Sequence, residues 1–186
     1  EDMRAQHRRM SHGARRPVAL VVDSSADLPD TVLDRHHIAL VPLQVMFGDQ
    51  TFRDRVQLKG EEFYQRMRTS KVNPTTSQPT PAEFVRVLRD ARAEADEVVA
   101  VLLASRLSGT FASGQMAAKA AGIDRVEFVD SASASLGLGL LALRGAELAE
   151  SGWPAKAIAD ELRRVRRQSG CFITVDRFDN LLRSGR

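Results

Sequence analysis

Four stretches of the chain carry side chains able to do chemistry: Asp23-Ser24-Ser25; Thr75-Thr76-Ser77-Gln78; Ser105 with Ser108-Gly109-Thr110; and Asp130-Ser131 with Ser133. They are rich in hydroxyls and hold little else that reacts. Hydroxyls and the free N–H groups of a helix start donate to anionic oxygens, and the helix dipole adds to the attraction. A carboxylate suits such groups, and so does a small phosphate. Taken singly, each serine or threonine more commonly caps a helix or holds a turn. Asp23 and Asp130 likewise more commonly hold turns than act as bases. The case for a ligand rests on several such loops meeting at one edge.

That meeting depends on the elements between the loops. Residues 18–22 are a β-rich apolar run between Pro17 and the Asp23-Ser24-Ser25 turn, predicting the first strand. A short helix is predicted over 28–36. Residues 38–47 form a second apolar stretch that Pro42 interrupts, predicting an edge or bent strand, and Gly48-Asp49 reads as a turn. Gly60–Thr69 reads as a helix with Phe63, Met67 and Tyr64 toward one face. Residues 71–80, rich in Thr, Ser and Pro, read as an exposed loop. Thr80-Pro81-Ala82-Glu83 is a capping box with proline at the first helical position. It opens a helix expected to bury Phe84, Val85, Leu88 and Ala91.

Residues 98–103 are a continuous apolar strand of the kind covered on both faces. A helix opens near Ser108-Gly109-Thr110, and 126–129 predict a further strand. Leu136–Glu150 and residues 154–168 read as helices, 171–175 as a strand and 178–182 as the start of a helix. Residues 1–16 read as a linker or tail. Strands alternating with helices predict an α/β fold, a mostly parallel sheet with helices on both faces. In such sheets ligands bind outside the carboxyl ends of the strands, which is where the hydroxyl loops fall.

Composition narrows the function classes. Among 186 residues, 43% are apolar and 27% charged, an ordinary globular balance for one domain. The net charge of +3 is small, with much of the excess at the two ends of the chain, and does not by itself indicate nucleic acid. The single Cys171 reads as a small buried hydrophobe. The four histidines, His7, His12, His36 and His37, show no metal-ligand spacing, so neither metal nor cofactor is expected. No apolar run approaches the ~18 residues of a membrane span. No secretory signal is visible either, and the expected location is the cytoplasm. The chain begins at Glu1, consistent with processing or a longer polypeptide. Nucleotide-binding glycine loops and a Gly-x-Ser-x-Gly elbow are absent.

Residues 136–143, Leu-Gly-Leu-Gly-Leu-Leu-Ala-Leu, are apolar around the whole helix circumference. They read as a buried central helix. Alternatively, Gly137 and Gly139 leave room for an apolar ligand chain, which beside an anion-accepting mouth would suit a fatty acid.

Several blocks, in order, resemble the DegV family: Asp23-Ser24-Ser25-Ala26-Asp27-Leu28-Pro29, Val41-Pro42-Leu43, Pro74-Thr75-Thr76-Ser77-Gln78-Pro79, Leu107-Ser108-Gly109-Thr110-Phe111, Val129-Asp130-Ser131 with Ser135, Gly137 and Gly139, and Ser184-Gly185-Arg186. The resemblance implies a DegV-type lipid-binding domain over 17–186, comprising the family's first domain and the beginning of the segment after it. The second domain, which would supply more of the ligand mouth and in many members a histidine, is absent from this chain.

The implied function is to bind a long-chain fatty acid and present its carboxylate to a kinase partner that forms an acyl phosphate. The chain would thus be a carrier and not an enzyme. Carried over by position, the ligand-binding residues are Thr75, Thr76 and Ser105, with Ser108, Gly109 and Thr110 shaping the loop and Ser24 and Ser131 beside it. Arg186 would contact the kinase. Ala104 stands where many members have a serine. Residues 1–6 are similar to the linker of proteins in which a dihydroxyacetone-kinase-related region is fused to a DegV region. Transient membrane contact fits a lipid carrier; nucleic acid binding does not.

Two other readings compete. Ser105 or Ser108 would be the nucleophile of a hydrolase or acyltransferase, although no histidine follows the serine loops to act as base. A regulatory interaction module would use Arg163, Arg164, Arg166 and Arg167, a cluster otherwise explained as a solvated face near a helix end.

Overall fold

The computed structural model describes residues 15–70, 72–172, 174, 175, 178 and 182. Strand β1 (Arg16–Asp23) is followed by a single 3-10 turn, Ser24–Ala26, and by helix α1 (Asp30–Arg35). Then come β2 (Ala39–Val41), β3 (Gln44–Phe47), β4 (Gln50–Arg53), α2 (Gly60–Thr69) and β5 (Thr75–Ser77). The rest is α3 (Pro81–Glu94), β6 (Ala95–Leu102), α4 (Thr110–Ala120), β7 (Val126–Asp130), α5 (Leu136–Glu150) and α6 (Ala155–Arg166).

Four strands form a parallel sheet in the order β2-β1-β6-β7. Strand side chains alternate between faces, so each run supplies two cores. Val18, Leu20, Val22, Val99, Val101 and Val129 face α5 and α6 with Leu138, Leu141, Ile158 and Leu162. Ala19, Val21, Val98, Ala100 and Leu102 face α3 and α4 with Phe84, Leu88 and Ala117. This is the expected α/β architecture, with helices on both faces. Gly114 lets α4 approach closely: a Cβ there would stand 3.0 Å from Phe84 and 3.1 Å from Leu102.

The remaining strands form a second sheet, order β4-β3-β5, with β3 antiparallel to both neighbours. Its core is small: Val45, Phe47 and Leu58, with Phe52 and Phe63 against them. Two expectations change here. The stretch 38–47 is two strands in two sheets, because Pro42 and Leu43 carry the chain out of the parallel sheet. The exposed loop 71–80 contains β5, whose three residues are all solvent-exposed. An edge strand with neither face buried shows no apolar alternation and reads as loop. Phe63 of α2 does turn inward, while Tyr64 and Met67 lie in solvent.

Other boundaries moved for physical reasons. The Thr80 hydroxyl accepts from Glu83 N at 3.2 Å, but the reciprocal half of the capping box is lost, since the Glu83 carboxylate accepts from Arg53 and Arg86 instead. Val87, not Val85, completes the buried face of α3. The strand expected over 171–175 does not form among its described residues. Phe172 is 98% exposed, and Cys171, expected to be a buried hydrophobe, is exposed as well, so these residues have neither a strand partner nor burial. Phe178 and Leu182 are linked by Leu182 N donating to the Phe178 carbonyl. The rest of 178–182, Arg186 and residues 1–14 lie outside the described residues.

Candidate functional site

The carboxyl ends of β1, β6 and β7 are stitched together by the residues singled out above. Asp23 ends β1 fully buried. One carboxylate oxygen accepts from Leu103 N at 2.6 Å, across in the next strand's exit, and the other accepts from Ser25 N at 3.0 Å and from the Ser25 hydroxyl. Burial pushes its pKa up, because desolvation outweighs these hydrogen bonds. Asp23 is thus a staple between strand ends.

Ser24 is also buried. Its oxygen accepts from Leu43 N at 3.1 Å, and its hydroxyl stands beside the Asp54 carboxylate, whose pKa is likewise raised by burial. Leu43 and Asp54 flank the β3–β4 hairpin, so Ser24 latches the antiparallel lobe to the parallel sheet. Glu83 of α3, accepting from Arg53 of β4 at 3.2 Å, is a second latch.

Ser105 stands exposed after β6 and is held by Asp130, the last residue of β7. The Ser105 hydroxyl donates to Asp130 Oδ2 at 2.6 Å, and Ser105 N donates to Oδ1 at 3.2 Å. Oδ1 also accepts from Ala132 N at 2.9 Å. Partial burial alone would raise the Asp130 pKa; the bonds from Ser105 and Ala132, and then the Arg166 charge, outweigh it and hold the carboxyl below its usual range. Ser131 is buried, donating to the Ser133 carbonyl at 3.0 Å and accepting from Ser133 N at 3.1 Å.

At the start of α4 the Ser108 and Thr110 hydroxyls share a 2.8 Å hydrogen bond, and Thr110 is buried. A Cβ on Gly109 would collide with the side-chain carbonyl of Gln78. That contact brings the end of the Thr75-Thr76-Ser77-Gln78 stretch onto the α4 N-terminus. Thr75 and Thr76, just upstream in β5, are exposed, and their hydroxyls take no protein partner among the described residues.

Burial therefore divides the candidates. Ser24, Thr110 and Ser131 have buried, engaged hydroxyls; Thr75, Thr76, Ser105 and Gly109 are exposed, and Ser108 is half-buried. Asp130 reads in the sequence as a turn holder and Gln78 only as the end of a polar stretch; both organise the site. The Ser105–Asp130 link had no signal in the sequence, since the partners are 25 residues apart.

The rest of the edge can be placed as well. Gly137 and Gly139 do not line a ligand wall: a Cβ on Gly139 would stand 2.6 Å from the Ala26 carbonyl, and one on Gly137 would collide with the Ser133 hydroxyl. The apolar side chains that α5 leaves in solvent are Leu136 and Leu140, 60% and 65% exposed. His36 and His37 follow α1 at the opposite, amino edge of the sheet, where His36 pairs with Glu150 at 2.8 Å. Neither can serve Ser105 as a base. The arginines of α6 are engaged within the chain: Arg163 with Glu127, Asp160 and the Phe128 carbonyl, Arg164 with Glu161, and Arg166 with the Asp130 carbonyl. Among the described residues no group of three or more His, Cys, Asp or Glu could hold a metal, and no helix is long and apolar enough to cross a membrane.

Comparison with known proteins places this geometry. The family model described as "Uncharacterised protein, DegV family" matches residues 17–186. A DegV domain-containing protein of Deinococcus radiodurans is 40% identical over 169 residues, covering 91% of this chain and 60% of the relative. Among solved structures, a DegV family protein from Thermus thermophilus described for its fatty acid binding superposes with a TM-score of 0.73 at 40% identity, covering 81% of this chain and 54% of that one. DegV from Bacillus subtilis, described as a fatty acid binding protein, gives 0.75 at 32% identity, covering 82% and 54%. The chain thus spans little more than half the length of these relatives. On the family match and the shared identity, this chain belongs to the DegV family.

Proposed function

We propose that the protein binds a long-chain fatty acid, with its carboxyl head at Thr75, Thr76 and Ser105 and its acyl chain on apolar surface. The observation that carries this reading is the Gln78–Gly109 contact. It joins a stretch whose exposed Thr75 and Thr76 hydroxyls take no protein partner among the described residues to the loop that carries Ser105 and to a helix N-terminus. The fatty acid binding ascribed to the Thermus thermophilus and Bacillus subtilis proteins supports it. Leu136 and Leu140 supply apolar surface at the carboxyl edge, where α5 begins. In the same reading the protein is a carrier of the cytoplasm. Its solvent-facing head-group residues let a kinase partner, separate or fused, reach the carboxyl and form an acyl phosphate, with Arg186 at that contact.

The hydrolase reading is weaker on the geometry. Among the described residues the base hydrogen-bonded to Ser105 is Asp130, and a carboxylate held below its usual range is a poor proton acceptor.

Calorimetry with a chain-length series tests the proposal. Each buried methylene contributes about 0.8 kcal/mol. Loss of one head-group hydrogen bond costs about 1.5–3 kcal/mol. Shortening the acid by several carbons should therefore weaken binding more than Ser105→Ala does. Affinity independent of chain length would overturn the reading.

A further inference from the structure

We infer, resting on the fatty-acid reading, that Asp130 is a positioning residue that sets the polarity of Ser105, so that Ser105 accepts from a protonated carboxyl rather than donating to a carboxylate. A serine hydroxyl has one proton and two lone pairs. Here the proton points at Asp130 Oδ2, 2.6 Å away. The neighbouring donors are spent on the same group: Ser105 N at 3.2 Å and Ala132 N at 2.9 Å both reach Oδ1. What the Ser105 oxygen keeps for a ligand is lone pairs, with a negative charge directly behind them.

A carboxylate arriving there would set acceptor against acceptor. A neutral carboxyl fits: its O–H donates to Ser105, and its carbonyl oxygen accepts from Thr75 or Thr76, whose hydroxyls take no protein partner among the described residues.

The surrounding charges agree. Arg166 of α6 donates to the Asp130 backbone carbonyl and favours the ionised side chain. Arg163, one turn earlier, is engaged by Glu127 and Asp160. Of the other elements packed on β7, α4 carries Lys119 at its far end, and β6 carries Asp96 and Glu97 at its opposite end. Arg106, beside Ser105, is exposed to solvent, where screening is strongest.

The test is displacement of a bound fluorescent fatty acid by lauric acid and by dodecanol, between about pH 5 and about pH 8, with the wild type and Asp130→Asn. An aliphatic carboxyl ordinarily titrates at about 4.3. The acid should lose affinity by up to about tenfold per pH unit above that value, and the alcohol should show no slope. In Asp130→Asn the acid's slope should flatten, with its affinity near pH 8 raised about tenfold or more. Should that variant fold poorly, the acid-to-alcohol ratio of the wild type across pH decides alone. Acid affinity that does not change with pH, together with an alcohol at least about tenfold weaker, overturns the inference and leaves the fatty-acid reading standing. Failure of both compounds to displace the probe from wild type at any pH overturns that reading as well.

Discussion

The parallel and antiparallel sheets differ in what holds them. Every strand of the parallel sheet is packed on two cores, and Val21, Val22, Val98 and Val99 are wholly inaccessible. The antiparallel sheet has one small core and an edge strand, β5, exposed along its whole length. The candidate site draws on both: Ser105 comes from the rigid sheet, Thr75 and Thr76 from the thinly supported one. The lesson is that the latches between them, Ser24 with Leu43 and Asp54, Arg53 with Glu83, and Gln78 on Gly109, set the geometry of the mouth.

The largest expected effect tests the rigid half. Phe84→Ala should cost about 3–5 kcal/mol, read as a lower urea midpoint for the whole chain. Val45→Ala in the other core should cost about 1–2 kcal/mol, read as faster hydrogen exchange confined to β3, β4 and β5. Equal exchange throughout the chain in the second variant would remove the distinction between the sheets.

Two of the glycines that face protein should separate stability from binding. Gly139→Ala forces a Cβ against the Ala26 backbone carbonyl and should cost about 1–3 kcal/mol in thermal unfolding. Gly109→Ala only displaces the flexible end of Gln78. It should change stability by less than about 0.5 kcal/mol while weakening fatty acid binding.

Ser24→Ala strands the Leu43 N–H and should cost about 1–2 kcal/mol, again with faster exchange in the antiparallel lobe alone. The smallest effect concerns pH. The folded chain holds the Asp23 proton more tightly than the unfolded chain, so this group's contribution is fully present below the ordinary 3.8 and is lost as pH rises through the raised value. Thermal melts across that range should therefore fall less steeply with rising pH in Asp23→Asn than in wild type.

Legibility in the sequence divides along the same line. Residues 98–102 could be read as a buried strand because burial on both faces leaves an unbroken apolar run. Gly60–Thr69 and Leu136–Glu150 were legible to the residue. Thr75–Ser77 was not, because an exposed edge strand has no pattern to betray it. The run 171–175 misled in the other direction, since Cys171, Phe172 and Val175 are apolar but exposed. In the site, the positions of the hydroxyls were legible but not their roles. Ser24, Thr76 and Ser105 are the same chemistry in a one-dimensional reading. Only burial and partners show that the first is a latch, the second has a hydroxyl without a partner among the described residues, and the third is held by Asp130.

The most direct test of the central claim is native mass spectrometry of the purified protein incubated with a long-chain fatty acid, comparing wild type with a Thr76→Ala/Ser105→Ala variant of unchanged circular dichroism. The account predicts one bound acid per wild-type chain and clear loss of occupancy in the variant. Equal occupancy in the two proteins, or none in either, would contradict it.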